Sequence, residues 1–254
     1  MNMISIIVIT KNEAHDIREC LKSISWADEI IILDSDSTDD TVKIAREFTK
    51  HVYISQDWQG FGIQKNRALA YATKEWVLSL DADERVTEEL RAEIEEAIAK
   101  PNSNSGFRIP RSSNYCGKFM RHSGWSPDYV VRLFRKDFGK FSESIVHENL
   151  VINGNIGTIK HPISHYAFSD LEEVLDKINR YSSAGATQKL NQGKKSSLGK
   201  ALRHGLWAFM RTFFIQAGFL DGREGFMLAV SNAEGVYYRY LKFMYLQEKK
   251  QNNN

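Results

Sequence analysis

Apolar residues in the first part of the chain alternate between two spacings, and the alternation predicts a strand–helix–strand order. Ile4 to Thr10 (ISIIVIT) is an apolar, β-branched run that reads as a buried strand. Ile17, Cys20, Leu21 and Ile24 then recur at the i, i+3, i+4, i+7 spacing of a helix. Glu29 to Asp34 (EIIILD) is the second strand, and Ser37, three residues before Asp40, predicts a capping box opening a helix through Phe48. His51 to Ser55, a helix near Gly62 to Thr73, the strand Trp76 to Leu80 and the helix Glu88 to Ala99 continue the series. Continuous apolar strands between amphipathic helices predict a mostly parallel sheet covered on both faces.

The pattern changes at Pro101. Gly106 to Pro110, Val130 to Arg135 and Leu150 to Ile152 are short strand candidates between polar loops, as in a mixed, partly antiparallel section. From Ser169 the spacing is helical throughout: Ser169 to Leu190, Leu198 to Ala217 and Asp221 to Tyr245, with Gly218 and Gly222 as breaks.

A length of 254 residues suits one elaborated α/β domain with an appendage. The N-terminal apolar stretch lacks a basic leader and ends at Lys11 and Glu13, so it reads as a strand and not a signal segment. Cys20 and Cys116 lie far apart with no metal-ligand spacing, which fits a reduced, cytoplasmic setting. The net charge of +2 hides an asymmetry: ten Lys/Arg against four acids from Lys194 onward leave 24 basic and 28 acidic residues ahead of it. The body is therefore −4 and the tail +6, and the tail carries eleven aromatics from Trp207 on.

Ligands of parallel α/β sheets bind beyond the carboxyl ends of the strands. Those ends carry Thr10-Lys11-Asn12-Glu13, Asp34-Ser35-Asp36 and Asp81-Ala82-Asp83-Glu84. Asp81 and Asp83, with one alanine between them, offer the oxygen donors that hard cations such as Mg²⁺ and Mn²⁺ prefer. A D-x-D triplet alone also reads as a helix cap, and Glu84 reads that way; the strand before it and two further polar clusters favour a metal site. Asp34 is placed to accept a hydrogen bond from a base or ribose hydroxyl, while Ser35 to Asp40 read as a turn and cap. Lys65 and Arg67 either face phosphates or form a solvated helix face.

The ordered series SIIVITKNE, EIIILDSDSTDDT, QKNRALA and WVLSLDADE resembles the family 2 glycosyltransferases with a GT-A fold. The resemblance implies that Thr10, Asn12, Glu13 and Asp34 line a nucleotide pocket, that Lys65, Asn66 and Arg67 lie near it, and that Asp81 and Asp83 bind metal and diphosphate. The expected organisation is then a GT-A catalytic domain over residues 1–168, with residues 1–100 as the nucleotide-sugar half and 101–168 as the acceptor half, followed by a helical region over 169–250. The later segments VVRLFRKD, SIVHENL, ISHYAFSDLEEVLDKINRYS and GFLDGREG resemble a bacterial subgroup that includes lipopolysaccharide inner-core β-1,4-glucosyltransferases.

This resemblance implies an inverting transfer of a sugar, with glucose as a candidate, from a UDP-sugar to a lipopolysaccharide-core or other lipid-linked acceptor, with Mg²⁺ or Mn²⁺. Such a reaction needs a base at the acceptor hydroxyl. The family commonly uses an E-D pair that is absent here, and its nearest substitute is Glu148 as base with His147 as a positioning group or alternative base, the other reading of Glu148 being a solvent-exposed loop acid. His165 is a further candidate metal ligand or a structural histidine. Trp125 reads as a sugar platform or a core residue, and Arg132 and Arg135 as partners of an acceptor phosphate or solvated strand residues.

The aromatic, basic tail suggests peripheral association with the inner face of a bacterial inner membrane, or two helices packed on the catalytic core. A polyprenyl-phosphate glycosyltransferase is an alternative to the core-glycan reading. A sugar nucleotidyltransferase is disfavoured because TKNEA is no Gly- and Arg-rich phosphate loop, and a basic nucleic-acid-binding protein because the body is acidic.

Overall fold

The structure, a computed structural model, describes residues 3–100, 103–142 and 149–252. The chain forms two compact units, Met1–Arg111 with Asp128–His165 and Ser112–Pro127 with Tyr166–Asn254. In chain order the elements are β1 (Ile4–Thr10), α1 (Ile17–Ser23), β2 (Glu29–Asp34), α2 (Thr41–Ala45), β3 (Val52–Ile54), α3 (Phe61–Tyr71), β4 (Trp76–Asp81), β5 (Glu84–Arg85) and α4 (Glu88–Ala99). There follow β6 (Asn104–Tyr115), β7 (Lys118–Phe119), β8 (Asp128–Arg135), β9 (Gly139–Phe141), β10 (Leu150–Ile152), β11 (Asn155–Thr158), β12 (Ile163–Phe168), α5 (Leu171–Asn191), α6 (Leu198–Met210) and α7 (Gly222–Asn252).

The first unit is built on a sheet of strand order β3-β2-β1-β4-β8-β6-β12-β5. β1 lies parallel to β2 and β4, with Val8 beside Ile32 on one side and Leu80 on the other. β8 then runs antiparallel to both β4 and β6, so a parallel half gives way to a mixed half. The alternation within β1 explains why the strands read as unbroken apolar runs: Ile6 and Val8 join one buried cluster with α1 and α4, while Ile7 joins another with α3. Each fully buried Ile, Leu or Val contributes about 1.5–3 kcal/mol.

Three local differences from the sequence pattern have physical causes. The helix expected from Ser37 to Phe48 is only α2, because the Ser37 hydroxyl donates to Asp34 Oδ2 (2.6 Å) in place of capping. Asp39 takes over, its Oδ1 accepting from the Thr41 N–H at 3.0 Å. Glu84, expected as a cap for the next helix, is fully buried in β5, and Thr87 caps α4 by accepting from the Leu90 N–H. β6 continues beyond Pro110, which stands opposite Tyr129, to Tyr115.

In the second unit α7 packs against both α5 and α6. α6 gives way at Arg211 to a five-residue π-helical turn, and a 3-10 turn over Gly218–Asp221 precedes α7. The buried Asp221 carboxylate fixes the loop after β7 by accepting from the Arg121 and His122 N–H groups and from Ser123 Oγ. Tyr115, Met120, Val174 and Leu228 form the core of this unit, with Trp125 and Phe168 packed on it. Among the described residues no helix is long and apolar enough to cross a membrane.

Candidate active site

The parallel half of the sheet delivers Thr10, Asp34 and Asp81 as the last residues of β1, β2 and β4, in register with one another: Thr10 pairs with Asp34, and Ile9 with Asp81. Asp34 is 1% exposed and saturated with donors. Its Oδ2 accepts from Thr10 Oγ1 (2.8 Å) and Ser37 Oγ (2.6 Å), and its Oδ1 from the Ser37 N–H (2.7 Å). Asn12, at a positive φ of 55°, joins the same turn: its N–H donates to Ser37 Oγ and its Oδ1 accepts from the Thr38 N–H, both at 2.8 Å.

The D-x-D aspartates have different surroundings. Asp81 is held by two cations, Lys65 Nζ at 3.2 Å from Oδ1 and Arg132 Nη2 at 2.5 Å from Oδ2. Burial pushes its carboxyl upward, but the attraction of Arg132 and then Lys65 outweighs burial and holds it well below the usual carboxylate range. Among the described residues Asp83 forms no ion pair with Lys or Arg: its Oδ2 lies 3.2 Å from His165 Nε2, and its Oδ1 is buried with no hydrogen-bond partner. Such an oxygen is an open ligand position.

Glu84 completes the cluster. Its Oε2 accepts from the Asp81 N–H (2.9 Å), and its Oε1 lies 2.8 Å from Arg132 Nη2 and 3.9 Å from Arg111 Nη1. Burial raises its pKa, Arg132 opposes, and the Asp81 charge adds to the rise. Glu13 is pushed up to about 7, first by burial and then by repulsion from Asp83, Asp16, Asp39 and Asp81. This places it electrostatically in the same acidic group.

The other expected residues divide by their contacts. Asn66 is occupied by main chain, its Nδ2 donating to the Phe141 carbonyl (2.8 Å) and its Oδ1 accepting from the Phe141 N–H (2.9 Å), so it locks α3 to β9. Arg67 turns to Asp57 (2.9 Å), Ser55 and Gln64, and its guanidinium is engaged in fixing the loop before α3. Arg132 is buried and not a solvated strand residue; Arg135 pairs with Glu75 and stacks over Trp76 at 4.6 Å. His147 and Glu148 lie outside the described residues. A cleft of about 340 Å³ opens beside Asp81, lined by Lys65, Arg111, Tyr129, Arg132 and Phe141. Arg111 and the buried role of Glu84 had no local sequence signal; for Arg132 the signal was a lone charge inside the apolar run VVRLF.

The comparisons with known proteins agree with this geometry. The family model "Glycosyl transferase family 2" matches residues 5–153. An uncharacterized glycosyltransferase of Rickettsia prowazekii is 32% identical over 264 residues, covering 99% of this chain and 90% of that protein. The lipopolysaccharide core biosynthesis glycosyltransferase LpsC of Rhizobium meliloti is 28% identical, covering 93% of each. The crystal structure of S. aureus TarS in complex with UDP-GlcNAc shares the GT-A fold, with a TM-score of 0.50 at 17% identity over 97% of this chain and 92% of that one. A matched model over more than half the chain, together with full-length relatives, identifies the chain as a member of glycosyl transferase family 2.

Proposed function

We propose that the first unit binds a UDP-sugar in the cleft beside Asp81 and transfers its sugar, with inversion, to a lipopolysaccharide-core or other lipid-linked glycan. The donor reading is carried by the orphaned, buried Asp83 Oδ1 together with the cleft beside Asp81, lined by Lys65, Arg111 and Arg132. Three cations suit a diphosphate, and the guanidinium forks suit its oxygens in pairs. The relatives support the same reading: TarS was solved with UDP-GlcNAc, and LpsC acts in lipopolysaccharide core biosynthesis.

Asp83 and His165 would hold a divalent cation, Mg²⁺ or Mn²⁺. The described residues contain no group of three or more acidic, His or Cys side chains that could hold a metal by themselves. Two protein ligands suffice where donor phosphates and water complete the shell, as these cations allow. When bound, the cation neutralises charge on the departing diphosphate. Asp81 joins as a ligand only when Lys65 or Arg132 releases one of its oxygens, and an anionic diphosphate is the group that draws those cations away. Thr10 and Asp34 shape the nucleoside end, and Asn12 and Glu13 border it. Glu148, with His147, is the base we assign to the acceptor hydroxyl on sequence grounds.

Calorimetric titration of the full chain with UDP, with and without Mn²⁺, tests the donor site. Mn²⁺ is expected to tighten UDP binding about tenfold or more, a gain of about 1.4 kcal/mol, and Asp83→Asn to abolish that gain. Equal UDP affinity in Mn²⁺ and in EDTA, or a gain undiminished in Asp83→Asn, overturns the metal reading.

The acceptor reading has a second support in the tail. Leu202, Leu206, Trp207, Met210, Phe214 and Ile215 are 41–66% exposed along α6 and the π-helical turn, near the basic Lys200 and Arg203. An apolar face rimmed by cations fits the interface of an anionic bilayer, where a lipid-linked acceptor resides. Sedimentation with phosphatidylglycerol vesicles at low salt is expected, and Leu206→Glu with Trp207→Glu should release the protein. Failure of the unaltered protein to sediment removes the membrane reading.

A further inference from the structure

The helical unit has a cavity of its own, lined by none of the residues assigned above to the donor site. A cavity of about 440 Å³ is lined by Tyr115, Trp125 and Phe168 together with Lys177, Arg211 and Arg239. Among the described residues no acidic side chain lines it. The volume falls in the range of roughly 300–1,000 Å³ typical of small-molecule sites.

Arg239 is unusual for a folded protein, whereas Arg211 lines the cavity as an exposed cation. Neither Arg211 nor Arg239 forms an ion pair or side-chain hydrogen bond with a described residue, and Arg239 Nε is buried without a partner. Removing a guanidinium donor from water without an acceptor is costly, so a retained one implies an acceptor that arrives from outside. The fold also makes room for it. An added Cβ at Gly185 on α5 would stand 2.9 Å from the Arg239 Cδ and Nε, so the glycine lets the arginine stem lie across the helix. Lys177 lies over the Phe168 ring, 4.6 Å from its centroid.

Part of the lining is an aromatic cluster. Tyr115, Trp125 and Phe168 pack against one another with centroids 5.9–6.1 Å apart, and the Tyr115 hydroxyl is tied to Ser231 at 2.9 Å. Aromatic faces and cations lining one cavity suit a ligand with a C–H-rich face and an anionic group. Ser182 and Asn232, also in the lining, add polar groups.

We propose that this cavity is a binding site for an anionic sugar, one bearing a phosphate or carboxylate, held by Arg211, Arg239 and Lys177 against the Trp125–Phe168 wall. The inference deepens the reading of the chain as a transferase acting on a lipopolysaccharide-core or other lipid-linked glycan, because such a site would recognise a negatively charged portion of that acceptor. It rests on that reading only for the ligand's role; the site's chemistry stands on the cavity itself.

The test uses the full chain, with glucose 6-phosphate, glucose and UDP titrated separately by calorimetry, and with phosphatidylcholine vesicles with or without phosphatidylglycerol as a further arm. Glucose 6-phosphate is expected to bind and glucose to bind at least about tenfold more weakly. Arg211→Gln with Arg239→Gln is expected to weaken glucose 6-phosphate about tenfold or more while leaving UDP affinity unchanged. Gly185→Ala, which leaves all charges in place but obstructs the Arg239 stem, is expected to weaken it in the same direction. Thermal unfolding of each variant separates lost binding from lost fold. Absence of glucose 6-phosphate binding, equal binding of glucose, or affinity unchanged in the double variant overturns the proposal. So does an effect of the double variant confined to phosphatidylglycerol vesicles, which would assign the cations to lipid headgroups. Failure of UDP to bind at all would strike the donor reading and leave this one standing.

Discussion

Replacing Arg132 with methionine tests whether the buried charge cluster around β4 is organised as the structure indicates. Arg132 is 6% exposed and is the only cation within 3 Å of Glu84, a carboxylate with no exposed surface, among the described residues. Once it is gone, Glu84 keeps the Asp81 N–H at 2.9 Å and an Arg111 nitrogen at 3.9 Å, too distant for a hydrogen bond. Removing one member of a buried ion pair costs about 3–5 kcal/mol, because the remaining charge is stranded. Asp81 is spared most of this, since Lys65 still holds its other oxygen and about a third of its side chain meets water.

The penalty should also depend on pH with a definite sign. Burial already lifts Glu84 above its ordinary value with Arg132 present, and the substitution lifts it further. A carboxyl with a raised folded-state pKa is protonated more readily in the folded protein, so the penalty is smallest in acid and grows as pH rises above the ordinary carboxylate value of about 4.5. Urea unfolding monitored by tryptophan fluorescence should show the Arg132→Met protein closest to the parent at pH 5 and furthest at pH 8. The double change Arg132→Met with Glu84→Gln removes the stranded charge and should recover most of the loss. A single variant within about 1 kcal/mol of the parent at pH 8, or a double variant no more stable than the single one, would refute the idea that Arg132 exists to neutralise Glu84.

Three further outcomes are expected. Glu13, pushed up to about 7 from an ordinary 4.5, binds a proton more tightly folded than unfolded, so in EDTA the protein should lose about 1–2 kcal/mol of stability as pH rises through that window; Glu13→Gln should flatten the urea midpoint between pH 5 and 8. Asp34→Asn replaces an acceptor of three hydrogen bonds with a group that has one acceptor oxygen, which should cost about 1–3 kcal/mol in thermal unfolding and weaken UDP binding more than it weakens the helical unit. Gly225→Ala would put a Cβ 1.9 Å from the Gly218 carbonyl oxygen; since backbone cannot step aside, the unfolding midpoint should fall by the equivalent of about 3 kcal/mol or more, whereas Gly199→Ala, with open space around it, should not lower it.

Much of the first unit was legible because burial on both faces leaves a strong mark on sequence. β1, β2 and β4 read as unbroken apolar runs for the same reason that they sit in the parallel half, and each ends in the polar residue that the sheet delivers to its edge. What escaped depends on contacts distant in sequence. Ser37 has the residue type and spacing of a cap, yet the Asp34 carboxylate three residues earlier competes for its hydroxyl and wins. Glu84 follows two aspartates as a cap would, and only Arg132, 48 residues later, makes its burial tolerable. In the second unit the helices were legible from their spacing, with α6 ending at Met210 before the predicted Ala217. The cavity was not, because its cations come from three helical segments and its aromatic wall from β6, the loop after β7 and β12.

The two aspartates of the triplet LSLDADE end up unequal for a geometric reason that bears on how the site would work. Residues at i and i+2 after a strand face the same side, but only the first is still in β4, beside β8 and within reach of Arg132. The second has left the ladder and meets β12 through His165. Asp81 is therefore charged at every working pH but neutralised by Lys65 and Arg132, whereas Asp83 keeps an unsatisfied oxygen. Charge density suited to a cation concentrates on Asp83, and cations suited to a diphosphate concentrate on Asp81. Because Lys65 and Arg132 cannot serve Asp81 and a diphosphate fully at once, the proposed donor binding would be linked to release of an Asp81 oxygen. Metal and nucleotide affinities should then rise together, each by the same factor, as reciprocal coupling requires.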